Sequence, residues 1–204
     1  MSISSTDRSF RGILLFWAPL ALQWLMMAVE GPFLAAIIAR MGDATPNLAA
    51  YGVAFAFAIL VESPVIMLMS ASTALVEDRT SYFRLRNFAN LLNAASTALL
   101  LLVLVPPVFR TIMIGMIGLP ADVADLVYVS LWLLLPWPAA IGYRRFLHGV
   151  LIRSGRTRLV AWGTALRLMA MAATAFALYV EGSLPGAWVG AIALSAAVCT
   201  EAVA

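Results

Sequence analysis

Two tripeptides hold the side chains best suited to reversible chemistry, Glu30-Gly31-Pro32 and Glu62-Ser63-Pro64. Each sets a carboxylate beside a proline inside an apolar run long enough to cross a membrane. A carboxylate in hydrocarbon costs at least ~2.5–3.5 kcal/mol, so it is expected to face the interior of a helix bundle. A proline has no amide hydrogen and clashes with the carbonyl four residues back, which frees the backbone oxygens of Ala28 and Leu60 beside the two acids. Broken helices with a protonatable group near mid-membrane are a usual way to build a transport site. The chemistry predicted for Glu30 and Glu62 is therefore binding and release of a proton or sodium ion.

Further polar side chains repeat at helical spacing. Gln23 stands seven residues before Glu30, on the same face. Asn90, Asn93 and Thr97 follow Arg86 on one segment; Thr164, Arg167, Met171 and Thr174 mark another. Arg167 falls near the middle of its apolar run, where a permanent cation needs an anion, a carbonyl cluster or water. A structural pair with Glu30, Glu62 or Glu201 and a contact with an anionic substrate are both open to it. Gln23, Asn90 and Asn93 are the remaining candidate substrate-binding residues, although Asn, Gln and Thr also serve as packing glue at about 0.6 kcal/mol per contact. Glu201 is expected to be hydrated at an interface, and His148, among Arg144, Arg145 and Arg153, to be an interfacial histidine. One histidine and one cysteine, Cys199, assemble neither a metal site nor an intrachain disulfide.

The elements that position these residues follow from composition. Of 204 residues, 63% are hydrophobic and 11% charged, and the mean hydropathy is +0.96; one soluble core cannot hide that much apolar surface. The fold class predicted is an all-α membrane protein, a bundle of six transmembrane helices over about 12–39, 48–76, 87–106, 122–143, 159–180 and 185–204. Residues 1–11 precede the bundle, and the rest form a single lobe. The apolar piece from Ile112 to Leu119, between Pro106-Pro107 and Pro120, is too short to cross and reads as an interfacial helix. The first apolar run is too long for a cleaved signal core and is expected to be retained.

The net charge of +3 marks topology rather than a nucleic-acid partner. All 13 basic residues are arginine. Arg8, Arg11, Arg79, Arg84, Arg86, Arg144, Arg145, Arg153, Arg156 and Arg158 fall to one side of the predicted spans, against Arg40 and Arg110 on the other. By the positive-inside rule both termini are cytoplasmic, in a multi-pass protein of a bacterial inner membrane. Gly186 and Gly190 form a GxxxG, expected to pack within the lobe. Without lysine there is no Walker A motif, and HExxH, GxSxG and paired-cysteine motifs are missing too, so no enzyme is predicted and any energy should come from an ion gradient.

Pro19-Leu20 with Glu30, the stretch from Leu48 to Phe55, Ser63-Pro64, and the basic turn from His148 to Arg158 resemble the multidrug/oligosaccharidyl-lipid/polysaccharide exporter superfamily. The pattern is most similar to its progressive-ankylosis-type and multidrug and toxic compound extrusion branches, over about residues 12–180. The resemblance implies twelve helices in two six-helix lobes around a cavity that opens alternately to either side. It also implies that Glu30 is the coupling acid, and that phosphate-containing or organic anions, which suit Arg167, are exported. Six spans supply one lobe, so a second lobe or a homodimer is implied.

The function expected is thus an exporter lobe for small organic or anionic solutes, working by ion-coupled alternating access within the lipid bilayer, with no cofactor beyond the coupling ion. The alternative is a non-transporting scaffold or assembly subunit whose acids and arginines form static pairs. An intramembrane transferase lacks a base and nucleophile at a common depth.

Overall fold

The computed structural model describes residues 10–204, so Arg8 and most of the N-terminal segment lie outside the described residues. Every regular element among them is helical: α1 Phe10–Ile38, α2 Ala44–Ile66, α3 Leu68–Leu75, α4 Arg79–Val103, α5 Pro106–Arg110, a π-helical turn Thr111–Met116, α6 Ala121–Leu133, α7 Trp137–Arg153, α8 Thr157–Glu181 and α9 Gly186–Val203. Four stretches are long and apolar enough to cross a membrane: Phe10–Ile38, Ala44–Leu75, Thr157–Glu181 and Gly186–Val203. Two bent pairs, Arg79–Val103 with Pro106–Met116 (73°) and Ala121–Leu133 with Trp137–Arg153 (44°), raise the number to six if each is one span. The chain is an all-helical, multi-pass integral membrane protein. Its outer surface agrees, with Trp17, Trp24, Leu60, Leu91, Trp162 and Phe176 all exposed, as a lipid-facing surface requires.

Local chemistry sets the element ends. Asp78 caps α4 by accepting the Ser81 amide at 2.7 Å, while Ser81 Oγ accepts the Asp78 amide at 2.9 Å in a reciprocal capping box. Trp137-Pro138 opens α7, where a proline's missing amide hydrogen is harmless. Gly182, at φ 66°, ends α8 in the left-handed conformation that glycine adopts without strain.

The prolines beside the acids do not break their helices. α1 is continuous through Pro19 and Pro32, and α2 through Pro64, with its interruption only at Met67. At Pro64 the reason is visible: Ser63 Oγ donates to the Leu60 carbonyl at 2.9 Å, occupying an oxygen expected to be free.

At the centre stands α9, in contact with α1, α2, α6, α7 and α8. Its small residues permit this. A Cβ on Gly186 would come within 2.9 Å of Ile38 Cγ2, and one on Gly190 within 2.7 Å of Tyr51 Cδ2, so the GxxxG packs inside the lobe. Asn47 fixes the outer corner of the same contact: its Oδ1 accepts the Ala187 amide at 2.9 Å and its Nδ2 donates to the Asp43 carbonyl at 2.9 Å.

The largest departure from the sequence reading is the fourth segment. It does not end at residue 143, because the interruption at Pro136 is confined to one turn and α7 then runs unbroken to Arg153. Arg144, Arg145 and His148 therefore lie in a packed helix, not in a basic loop.

Candidate functional site

The site is a buried charge network held by α1, α7, α8 and α9. On α8 the buried stripe is Val160, Thr164, Arg167, Met171 and Ala175, at spacings of four, three, four and four. That register aims Arg167 at α1, where its Nη2 lies 2.5 Å from Glu30 Oε2. On α9 the stripe Ala187, Ala191, Leu194, Val198 and Glu201 ends in an acid. Glu201, expected from sequence to be hydrated at an interface, is drawn into the bundle. It is 7% exposed, since the last turn of α9 lies against α7 and α8.

Glu201 gathers four partners. Arg144 Nη1 donates to its Oε2 at 2.7 Å, Thr164 Oγ1 donates to Oε1 at 3.1 Å, Arg167 Nη1 lies 3.7 Å from Oε2, and His148 Nε2 lies 3.5 Å from Oε1. Trp137, Ile141, Arg144 and His148 form the α7 stripe that delivers two of these groups. His148, assigned to the interface from sequence, is thus 5% exposed and inside the bundle.

Glu62 sits apart. It accepts a hydrogen bond from Trp137 Nε1, a neutral donor, and makes no ion pair among the described residues. It and Arg145 interact electrostatically without a salt bridge. Arg145 instead places Nη1 3.9 Å from Met69 Sδ, with its guanidinium 5.9 Å from the Trp24 ring centre. The structure therefore gives Glu30 and Glu62 different partners. Trp137 links the two halves, since the Arg167 guanidinium stands 5.7 Å from its ring centre.

The formal charges cancel: three buried carboxylates, Glu30, Glu62 and Glu201, face three buried guanidiniums, Arg144, Arg145 and Arg167. The hydrogen bonds do not. Among the described residues, Arg144 Nε and Nη2, Arg145 Nε, and Arg167 Nε and Nη1 are buried without a hydrogen-bond acceptor, against a single carboxylate oxygen without a donor, Glu30 Oε1. Donors thus exceed acceptors, and the arrangement is suited to hold water or an anionic group.

Of the other predicted residues, Gln23 is buried on α1 and Asn93 on α4. Asn93 Oδ1 has no hydrogen-bond partner among the described residues, and a Cβ on Gly142 would meet it at 1.7 Å, so α4 and α7 approach closely there. Asn90 is not brought to the site. The buried stripe of α4 is Ala89, Asn93, Ser96 and Leu100, which turns Asn90 outward. Thr97 donates back to the Asn93 carbonyl at 2.9 Å. Among the described residues no group of three or more His, Cys, Asp or Glu could hold a metal ion.

No family model, curated protein or solved structure matches the chain. What the fold and the site define is a class, an integral membrane helical protein with a buried, charge-balanced network of acids and arginines.

Proposed function

We propose that the chain is a lobe of an ion-coupled exporter of small organic or anionic solutes, with Glu30 as the coupling acid and Arg167 as its counter-cation. The observation that carries this reading is the Glu30–Arg167 contact, which joins α1 to α8 at the edge of a network short of hydrogen-bond acceptors. An ion that neutralises Glu30 frees Arg167 to engage a substrate anion or to lean wholly on Glu201. Loss of that ion restores the α1–α8 link. Ion and substrate then compete for one guanidinium, the linkage that coupled export by alternating access needs. Gln23 and Asn93 supply further polar groups, and Glu62 a second acid held by a neutral donor.

The test is flux in proteoliposomes under imposed proton or sodium gradients. Glu30→Gln is expected to cut gradient-driven flux by roughly 5–150-fold, the range of ordinary coupling energies, while leaving the protein folded. Flux that keeps its full gradient dependence in that variant excludes the role.

A static scaffold is favoured by one observation: Glu30, Arg167 and Glu201 are buried, at 6%, 2% and 7% exposure, and pair with one another. On that reading, replacing Glu30 and Arg167 together by apolar residues of similar size leaves every measurable property of the assembled membrane protein intact. On the exporter reading the double variant folds but carries nothing.

A further inference from the structure

α1 and α8 meet along two opposed stripes that do not close. Leu15, Ala18, Pro19, Leu22 and Met26 form one wall, and Ala161, Trp162 and Ala165 the other, around a cleft of about 490 Å³. Both stripes have helical spacing, so the cleft runs lengthwise between the helices. It lies on the lipid-facing side: Leu15, Leu22 and Trp162 are each more than half exposed. The alanines keep its floor low.

One end is charged. Arg158 lines the apolar cleft and also the adjoining one, which contains Arg156, Thr157 and Gly155 and shares Leu15. Arg156 and Arg158 are exposed and make no ion pair or side-chain hydrogen bond among the described residues. Their neighbour Arg153 is different, since it donates to the Thr73 and Ala74 carbonyls at 2.9 and 3.0 Å and lies 3.7 Å from Glu77. Arg11 stands one turn before Leu15 on the α1 stripe and adds to the same positive field.

The geometry points to a binding site for one anionic glycerophospholipid, its acyl chain lying between α1 and α8 and its phosphate held by Arg156 and Arg158. The occupant follows from charge complementarity at one end and hydrocarbon along the rest. A soluble phosphate has no use for the apolar cleft, and an uncharged lipid none for two exposed arginines at its mouth. Each basic residue near an anionic lipid surface contributes enough that two account for roughly thirtyfold in affinity. The site lies on the outside of the α1–α8 pair whose inner side carries Glu30 and Arg167, and it stands whether or not those residues couple transport.

The experiment is native mass spectrometry of the full chain released from detergent with equal amounts of phosphatidylglycerol and phosphatidylcholine. Wild type is expected to retain one phosphatidylglycerol in preference. Arg156→Gln with Arg158→Gln, both exposed and harmless to folding, should lower that preference by roughly thirtyfold. Ala165→Trp, which fills the cleft and leaves the arginines, should lower retention of both lipids. Equal retention of the two lipids by wild type, retention of neither because detergent or another helix fills the cleft, or an unchanged preference in the double variant would each overturn the assignment.

Discussion

Arg144 and Glu201 are each almost wholly buried, and their contact is the shortest of four made by that carboxylate. Removing one partner strands the other charge away from water. Glu201→Leu is therefore expected to destabilise the protein by about 3–5 kcal/mol, while Arg144→Met combined with Glu201→Leu recovers most of that loss. Thermal unfolding in detergent, followed by fluorescence of the tryptophans, reads both; equal losses in the single and double variants would show that the pair is not the unit. Steric limits are as local. A Cβ on Gly149 would come within 1.8 Å of Ser72 Oγ and 2.4 Å of the Met69 carbonyl oxygen, so Gly149→Ala must push α7 away from α3. A loss of about 1–3 kcal/mol is expected in the same unfolding assay, and an unchanged midpoint would mean that this contact is loose. At this scale the sequence announced Glu30 and Arg167 because a charge inside a long apolar run stands out. It hid Arg144, Arg145 and His148 because a cluster of positive charge beside a predicted span end looks like a loop. The helical stripe Trp137, Ile141, Arg144, His148 was the signal that could have placed Arg144 and His148 inside.

An element ends where its backbone groups find other partners, and two ends here are testable. Asn47 accepts the Ala187 amide at the start of α9 while holding the Asp43 carbonyl, so one buried side chain ties α2, its preceding turn and the central helix. Asn47→Leu leaves the Ala187 amide unsatisfied and should cost about 1–3 kcal/mol in detergent unfolding, whereas Asn47→Asp, which keeps the acceptor, should recover part of it. The α4 cap depends on pH. Hydrogen bonds from Ser81 hold the Asp78 carboxyl below its ordinary range. Because the folded value lies below the unfolded one, the cap's contribution is complete above the ordinary aspartate range and disappears as pH falls through the lower folded value. Protection of the Ser81 amide from hydrogen exchange, taken relative to its intrinsic rate at each pH, should fall in that acidic window for wild type and be small at every pH in Asp78→Ala; matching profiles would remove the cap from the account. Helix positions were largely legible from the runs of apolar residues, with the last span opening at Pro185, whereas the interruption at Pro136 fell inside the predicted span 122–143. Proline behaviour was less so: its cost at Pro64 is offset by the neighbouring serine, and a sequence does not reveal which hydroxyl turns back to its own helix.

At the scale of the whole molecule the segments alternate between two ends. Arg40, Asp43, Asn47, Asp122, Tyr179, Gly182 and Pro185 border one cleft, which gathers the turns after α1 and α8 and the start of α6. At the other end Arg153 reaches Thr73, Ala74 and Glu77, and the α7–α8 turn meets Leu15 and Phe16 of α1. Arginine follows this division. Once Arg144, Arg145 and Arg167 are assigned to the interior, Arg11, Arg79, Arg84, Arg86, Arg153, Arg156 and Arg158 go with the second end, against Arg40 with the first. The asymmetry read from sequence loses Arg144 and Arg145, which it counted because the fourth span was ended at residue 143, while Arg8 lies outside the described residues. It predicts which end faces the cytoplasm. With Cys199 replaced by serine, single cysteines at Gly42, Ala121 and Ser183 should react with an impermeant maleimide from outside intact cells, and those at Thr80 and Ser154 only after the membrane is opened. All five positions are exposed, so a silent site reports sidedness and not burial. Ala121 decides the number of crossings. It follows the bent α4–α5 segment, whose 73° turn allows either a broken span or a re-entrant loop. If it labels with Thr80, that segment returns to the side it left and the six-span lobe is wrong; if it labels with Gly42, the segment crosses, and the end rich in arginine is the cytoplasmic one on both sides of the α6–α7 bend.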